Sequence, residues 1–249
     1  MTTLNFTPSA TAAPRPQQVW AHATTEASLI LRNGEQALLA LVIPIGILVA
    51  GRFFGSRLGL DFISLVPSVL ALAIWSSCFT SLAIATGFER RYNVLERLAA
   101  TPLGKSGILL GKATAIAMIT ALQLVVLVIV ALLLGWRPGF DALAIIVAVL
   151  ACVLAAGAFA GMALSLAGTA RPELTLAVAN LIYLIGVVGG GLLLPVSSHP
   201  GWAQPIVAML PTGALGEALR SGTPYSLIVL ALWCTGTIVL ARKVFRWTS

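Results

Sequence analysis

The chain has 249 residues, 59% of them hydrophobic and only 9% charged, and its mean hydropathy is +0.99. A soluble domain carries about 25% charged residues, so a wholly water-facing surface is excluded and a lipid bilayer is the solvent. The net charge of +7 falls in short segments between apolar runs, a pattern that orients a membrane protein and does not call for nucleic acid.

The N-terminal "MTTLNFTPSATAAPRPQQ" has no basic segment followed by an apolar one. It is not a cleavable signal peptide, and residues 1–18 read as a disordered cytoplasmic tail. The sequon Asn5-Phe6-Thr7 within it reads as chance. Residues 19–249 read as one transmembrane domain. Its first element, "VWAHATTEASLILRNGEQ", places Val19, Trp20, Ala23, Ala27, Ile30 and Leu31 at helical spacing, with His22, Thr25, Glu26 and Arg32 on the other face. This predicts an amphipathic helix at the membrane surface. His22 stands far from other ligand types, so no metal site is expected.

About 20 apolar residues cross a bilayer. Six stretches qualify, at roughly 34–54, 62–87, 106–135, 140–169, 174–195 and 223–241. The first is the weakest, being short and interrupted by Pro44, which a membrane helix tolerates when neighbours satisfy the freed carbonyl. An even number puts both termini on one side. With the termini cytoplasmic, Arg15, Arg32, Arg90, Arg91, Arg97, Lys105, Lys112, Arg171, Arg242, Lys243 and Arg246 face inward; only Arg52, Arg57, Arg137 and Arg220 face outward. The segment 196–222 is then external. Pro200, Pro205 and Pro211 interrupt it, which predicts short re-entrant helices instead of a seventh span. Trp20, Trp136 and Trp202 read as interfacial anchors. Cys78, Cys152 and Cys234 lie singly in apolar runs and read as small buried residues.

The span cores hold almost no ionisable residue. Asp61, Asp141, Glu173 and Glu217 fall near span ends, and Glu35 at the entrance to the first span. Nothing resembles a proton or sodium relay, a metal pair or a Ser–His pair. "GKS" at 104–106 lacks the first glycine of a phosphate loop, and "GILLGKA" at 107–113 has the wrong spacing. Energy for work would come from another chain.

One stretch stands apart. Residues 88–112, "FERRYNVLERLAATPLGKSGILLGK", hold seven charged residues between nearly charge-free flanks. As a helix, Phe88, Tyr92, Leu95 and Ala99 form one stripe, while Glu89, Arg90, Asn93, Glu96 and Arg97 cover the rest. Thr101-Pro102-Leu103-Gly104 ends it. Topology needs only Lys and Arg, so charges of both signs fit docking into a groove on a cytoplasmic protein.

This stretch resembles the signature region of ABC-2 type permeases, the membrane subunits of ATP-driven exporters, and is most similar to the daunorubicin-type drug-resistance branch. Glu96-Arg97-Leu98, Thr101-Pro102-Leu103 and Gly111-Lys112 match as they stand; Tyr92-Asn93 departs from the Gly-Thr of many members. The resemblance implies that residues 88–103 form a coupling helix whose Phe88, Glu89, Arg90, Arg91, Tyr92, Leu95, Glu96, Arg97, Thr101 and Pro102 meet a separate ATP-binding subunit. It also implies that two permease copies, identical or not, enclose the pathway. ATP and magnesium would belong to the partner; this chain would hold no cofactor and no metal and would not be an enzyme.

Polar groups along the spans are few. Ser77, Thr80, Gln123, Asn180 and Tyr183 are the pathway candidates, and they suit a hydrophobic or amphipathic, drug-like or lipid-like cargo, since a charged one would need compensating charges. Gly157-x-x-x-Gly161 and Gly186-x-x-x-Gly190 let helices approach closely, and the glycine-dense 186–195 is expected to flex. The expectation is an all-α integral membrane protein of the bacterial plasma membrane acting as an efflux permease. The alternatives are a secondary transporter or channel without an ATPase, which the missing intramembrane acids disfavour, and an assembly protein.

Overall fold

The structure, a computed structural model, describes residues 12–58, 61–139 and 141–247 (the backbone alone at 35–37, 39, 56 and 58). The expected disordered tail lies largely outside these residues. Its end is helical, because α1 spans Arg15–Arg32 with Pro14 at its N-cap. Proline fits a helix start, where its missing N–H is one of those left unpaired anyway.

Helix α2 is Gly34–Phe54, with Pro44 inside it. Helix α3, Phe62–Trp75, continues through a π-helical segment, Ser76–Ser81, into α4, Leu82–Arg91. A short α5 covers Val94–Ala99, and α6 and α7 are the long helices Gly104–Leu133 and Ala142–Thr169. Helix α8 is Pro172–Gly189; two short helices, α9 (Gln204–Met209) and α10 (Pro211–Ser221), precede α11, Tyr225–Val244. Among the described residues there is no strand.

Five helices are long and apolar enough to cross a membrane: Phe62–Arg91, Gly104–Leu133, Ala142–Thr169, Pro172–Gly189 and Tyr225–Val244. This is a multi-pass, all-helical membrane protein. The first expected span, 34–54, is helical too, but its apolar part, Ala40–Phe54, is shorter. The fifth ends at Gly189 and not near 195, because Gly190 and Gly191, the latter at φ 78°, break the helix.

The helix Phe62–Arg91 is the axis of the fold. Its most apolar window is 72% buried within the protein, against 17–28% for the other four. Trp75 stacks on Phe79 at 4.4 Å, and Phe159 of α7 meets Trp75 edge-on at 4.6 Å. The Trp75 indole N–H donates to the Tyr183 carbonyl of α8 at 3.3 Å, so the ring's polar edge is satisfied where no water is at hand.

Acidic residues at the span ends act as caps. Asp61 accepts from the backbone N–H groups of Ile63 and Ser64, and Asp141 from that of Leu143 at 3.0 Å, satisfying donors that a helix start leaves free. At the same end Arg52 donates to the Leu134 carbonyl at 2.8 Å, closing the C-terminus of α6. Arg220 donates to the Gly191 and Leu192 carbonyls and to Ser68 Oγ. It thereby ties the short helix α10 to the broken end of α8 and to α3. Two of the four cations expected to face outward thus cap exposed carbonyls.

The glycines named from sequence are close-packing points within this chain. A Cβ on Gly157 would lie 2.6 Å from Cys234 Sγ, and one on Gly161 2.8 Å from the Thr237 backbone, both on α11. A Cβ on Gly186 would lie 2.9 Å from Trp75 Nε1, and one on Gly190 2.7 Å from Thr212 Oγ1. Gly190 is therefore wedged against α10, and a bulky residue there would test packing, not flexing.

Gly161→Leu should lower stability by about 1–3 kcal/mol through overpacking against backbone. Gly46→Ala, with nothing within 4 Å of the added Cβ, should be neutral or stabilising by up to about 1 kcal/mol. Detergent-solubilised unfolding of the two variants checks both.

Candidate functional site

The charged stretch does not form one helix. Span two runs on to Arg91, and the chain then turns through Asn93, whose φ of 57° is left-handed. Asparagine tolerates that conformation better than other residues with a Cβ, and it stands at one of the two positions where the sequence departs from the family pattern. Helix α5 follows, and the Thr101–Leu103 turn leads into α6 at Gly104, φ 65°. The single stripe expected for 88–103 is thus broken: Leu95 is fully buried while Tyr92 is 64% exposed.

The ten expected docking residues divide accordingly. Arg91, Tyr92, Glu96, Arg97, Thr101 and Pro102 are exposed at a corner projecting from the bundle. Arg91 is ion-paired with Glu173 in the first turn of α8, whereas Glu96 and Arg97 take no part in the ion pairs among the described residues. Phe88, Glu89, Arg90 and Leu95 face inward instead. Arg90 is 5% exposed and donates to the Ala170 carbonyl at 2.6 Å, fastening α4 to the α7–α8 turn.

Glu89 belongs to a buried ionic bracket that sequence reasoning missed. Lys112 Nζ of α6, 3% exposed, lies 2.5 Å from Glu89 Oε2 of α4 and 3.1 Å from Glu26 Oε2 of α1. Glu26 in turn lies 3.7 Å from His22 Nε2. His22 and Glu26 were expected on the outer face of α1. They sit on its packed face, beside Ala23 and Ala27, which meet Ala115 of α6. Gly111 makes this possible, since a Cβ there would collide with the His22 ring at 2.4 Å. The Gly111-Lys112 pair therefore has one mechanical meaning: it lets α1 close on α6 and then anchors it. Burial pushes the His22 imidazole below its usual 6.5, Lys112 adding to this and Glu26 opposing it.

Above the bracket lies a cavity of about 210 Å³ between α1, α2, span two and α6. Its walls are largely apolar, including Ile30, Leu41, Ile116 and Ile119; Glu26, Glu89 and Lys112 stand at one end, Ser77 and Gln123 farther in. Ser77 Oγ donates to Gln123 Oε1 at 2.8 Å, and Gln123 Nε2 donates to the Ala40 carbonyl at 2.7 Å. Two of the five pathway candidates are thus brought together. Ser77 lies in the π-helical segment, a widening that recurs at functional sites. Thr80 shares that segment, and its hydroxyl is buried without a partner. Tyr183 gives its carbonyl to Trp75, and Asn180 is exposed on α8; neither lines the cavity. Among the described residues no group of His, Cys, Asp and Glu is placed to hold a metal.

Residues 17–223 match the model of the ABC-2 type transporter family. The chain belongs to that family. Over 183 residues it is 26% identical to the probable doxorubicin resistance ABC transporter permease protein DrrC of Mycobacterium tuberculosis, from strain CDC 1551 / Oshkosh and from strain ATCC 25618 / H37Rv. The match covers 71% of this chain and 66% of each relative. The family match takes in α1, the bracket, the α4–α5 corner and the cavity.

Lys112→Met leaves two buried carboxylates facing each other and should cost about 3–5 kcal/mol. Adding Glu26→Gln and Glu89→Gln to it should restore most of that, as read by thermal unfolding. The sign for His22 is also fixed. With its folded pKa depressed, its contribution is complete above 6.5 and is lost as pH falls further. Protease access to α1 should rise on acidification, and His22→Gln should flatten that limb.

Proposed function

We propose that the chain is the permease subunit of an ATP-driven ABC exporter that moves hydrophobic or amphipathic molecules outward across the bacterial plasma membrane. The observation that carries this reading is the α4–α5 corner. It presents exposed Glu96 and Arg97, which enter no ion pair among the described residues, beside exposed Tyr92, and it is the end of the most buried of the five long apolar helices. A force applied to the corner reaches the helix around which the others pack. The separate ATP-binding subunit, with its ATP and magnesium, is the source of that force. Its closure would bias the spans between inward- and outward-facing arrangements.

In this reading α2 is also a span, bringing the number to six, both termini are cytoplasmic, and α9 and α10 lie at the outer side. A second permease copy, identical or a sister chain, covers α8. The most apolar window of that helix is only 17% buried, and it presents Asn180 among exposed Leu181, Leu184 and Ile185. An amide facing lipid is costly, and a facing helix satisfies it. The cavity beside Ser77 and Gln123 is where cargo first leaves the inner leaflet. The DrrC proteins are named for doxorubicin resistance, and a drug-sized amphipathic cargo fits walls that are apolar with few polar groups.

The chain should co-purify from its native host with an ATP-binding subunit in roughly equal amounts. Exchanging the two charges, Glu96→Arg with Arg97→Glu, should weaken that association about ten-fold or more without lowering the unfolding temperature of the permease alone. Cargo export by the chain purified without any ATPase would overturn the reading.

A further inference from the structure

A second groove, of about 150 Å³, lies between α6, α7 and α11, away from the cavity described above. Ala113, Gly157, Ala160 and Gly161 line it, with Leu110 and Ile238 at its rim, 56% and 37% exposed. The groove is therefore open at the surface of three membrane-spanning helices. Small residues leave a slot that a flexible hydrocarbon chain fills better than a side chain of a facing helix, because the slot is already closed at depth by α11 packing on Gly157 and Gly161.

One end of this slot is polar and of a single sign. Ser106 and Arg242 line it directly. Arg15 donates to Ser106 Oγ, which brings a second guanidinium to the same mouth. Lys105, adjacent in sequence to Ser106, sits 5.7 Å over the ring of Trp247, just beyond α11. Arg15, Lys105, Ser106 and Arg242 are all exposed. None of the three cations enters an ion pair among the described residues, although Lys112, about two helical turns past Lys105 on α6, is bracketed by two carboxylates. Arg242 at the mouth, Arg15 bonded to Ser106, and Lys105 beside Ser106 thus put three cations without ion-pair partners among the described residues, and a hydroxyl, around one end of an apolar slot, near Trp247.

We infer that this groove is a binding site for an anionic phospholipid of the leaflet at the Lys112 end. Its phosphate is held by Arg15, Lys105 and Arg242 with the Ser106 hydroxyl, and one acyl chain runs along Ala113, Ala160 and Gly161. The charge complementarity selects the occupant. A zwitterionic lipid brings its own cation to three others, and a free phosphate leaves the apolar slot unfilled. Because Arg15 opens α1, Ser106 lies in the first turn of α6 and Arg242 closes α11, the headgroup would bridge three elements far apart in sequence. Basic residues near an anionic surface each contribute enough for about a five-fold change in occupancy.

The test uses the full chain in nanodiscs containing phosphatidylglycerol or phosphatidylcholine that carries a photoreactive acyl chain, with labelled peptides mapped by mass spectrometry. Phosphatidylglycerol should label residues 109–113, 157–164 and 238–242 at least about five-fold more than phosphatidylcholine. Lys105→Gln with Arg242→Gln should remove that preference, Arg242→Lys should keep it, and Ala113→Phe should block labelling of the groove by either lipid. Equal labelling by the two lipids, or labelling unchanged by the charge substitutions, would overturn the site. So would a groove found covered by a second copy of the chain or by the ATP-binding subunit. The lipid comparison on the unaltered chain needs no variant to fold, and its failure would leave the exporter reading untouched.

Discussion

A lysine held between two glutamates inside an apolar bundle is the contact on which the lower half of this molecule depends. Lys112 joins α1, α4 and α6 at once. Helices α1 and α6 also pack through Ala23, Ala27 and Ala115 and through His22 on Gly111, and Lys112 brings α4 into the same joint. The apolar face of α1 is built mainly of alanines, which bury little area, and α4 leaves the bundle a turn later. A buried ion pair is a weak source of net stability but a strong source of specificity, since every alternative register strands a charge. The bracket decides where the amphipathic helix lies, and thereby shapes the floor of the cavity that opens toward Ser77 and Gln123.

Much of the architecture was legible because bilayer physics leaves few choices. Apolar length marked five long helices able to cross a bilayer, and the Pro and Gly of 196–222 marked a break into two short helices. The acids placed near span ends turned out to be caps at Asp61 and Asp141. What stayed hidden was whatever required two distant segments to meet. The helical wheel of α1 assigns His22 and Glu26 to water because both are polar. Their partners at positions 89 and 112 appear only after folding. Glycine spacing showed close approach but not to what: Gly111 waits for an imidazole, Gly186 for an indole. Pattern alone also could not reveal that the stripe from Phe88 to Ala99 is interrupted. A single left-handed residue, Asn93, reorients everything after it.

The residues expected to dock divide between exposed positions and positions packed against this chain's own fold. Sequence periodicity cannot separate a charge that faces a partner from one that faces its own fold. Within Glu89–Arg97 the two kinds follow one another: Glu89 and Arg90 brace the bundle, Arg91 pairs across to α8, and Glu96 and Arg97 enter no ion pair among the described residues. The division explains why one short segment holds so much charge. It performs internal fastening and external presentation together, and both tasks need the ends of the same helices.

The unbroken run from Phe62 to Arg91 has a consequence for how motion can travel. A helix of this length behaves as a stiff rod, and this one is clamped along most of its surface by neighbours. Past Pro67, near its start, it departs from regular α-helical winding at the π-helical turn Ser76–Ser81, where an extra residue loosens the winding. A twist imposed at the Asn93 elbow therefore has a single joint at which to be absorbed or passed on, and that joint carries the only hydroxyl facing Gln123 among the described contacts. Winding and unwinding there would rotate Ser77 relative to α6 without shifting the outer half of the rod.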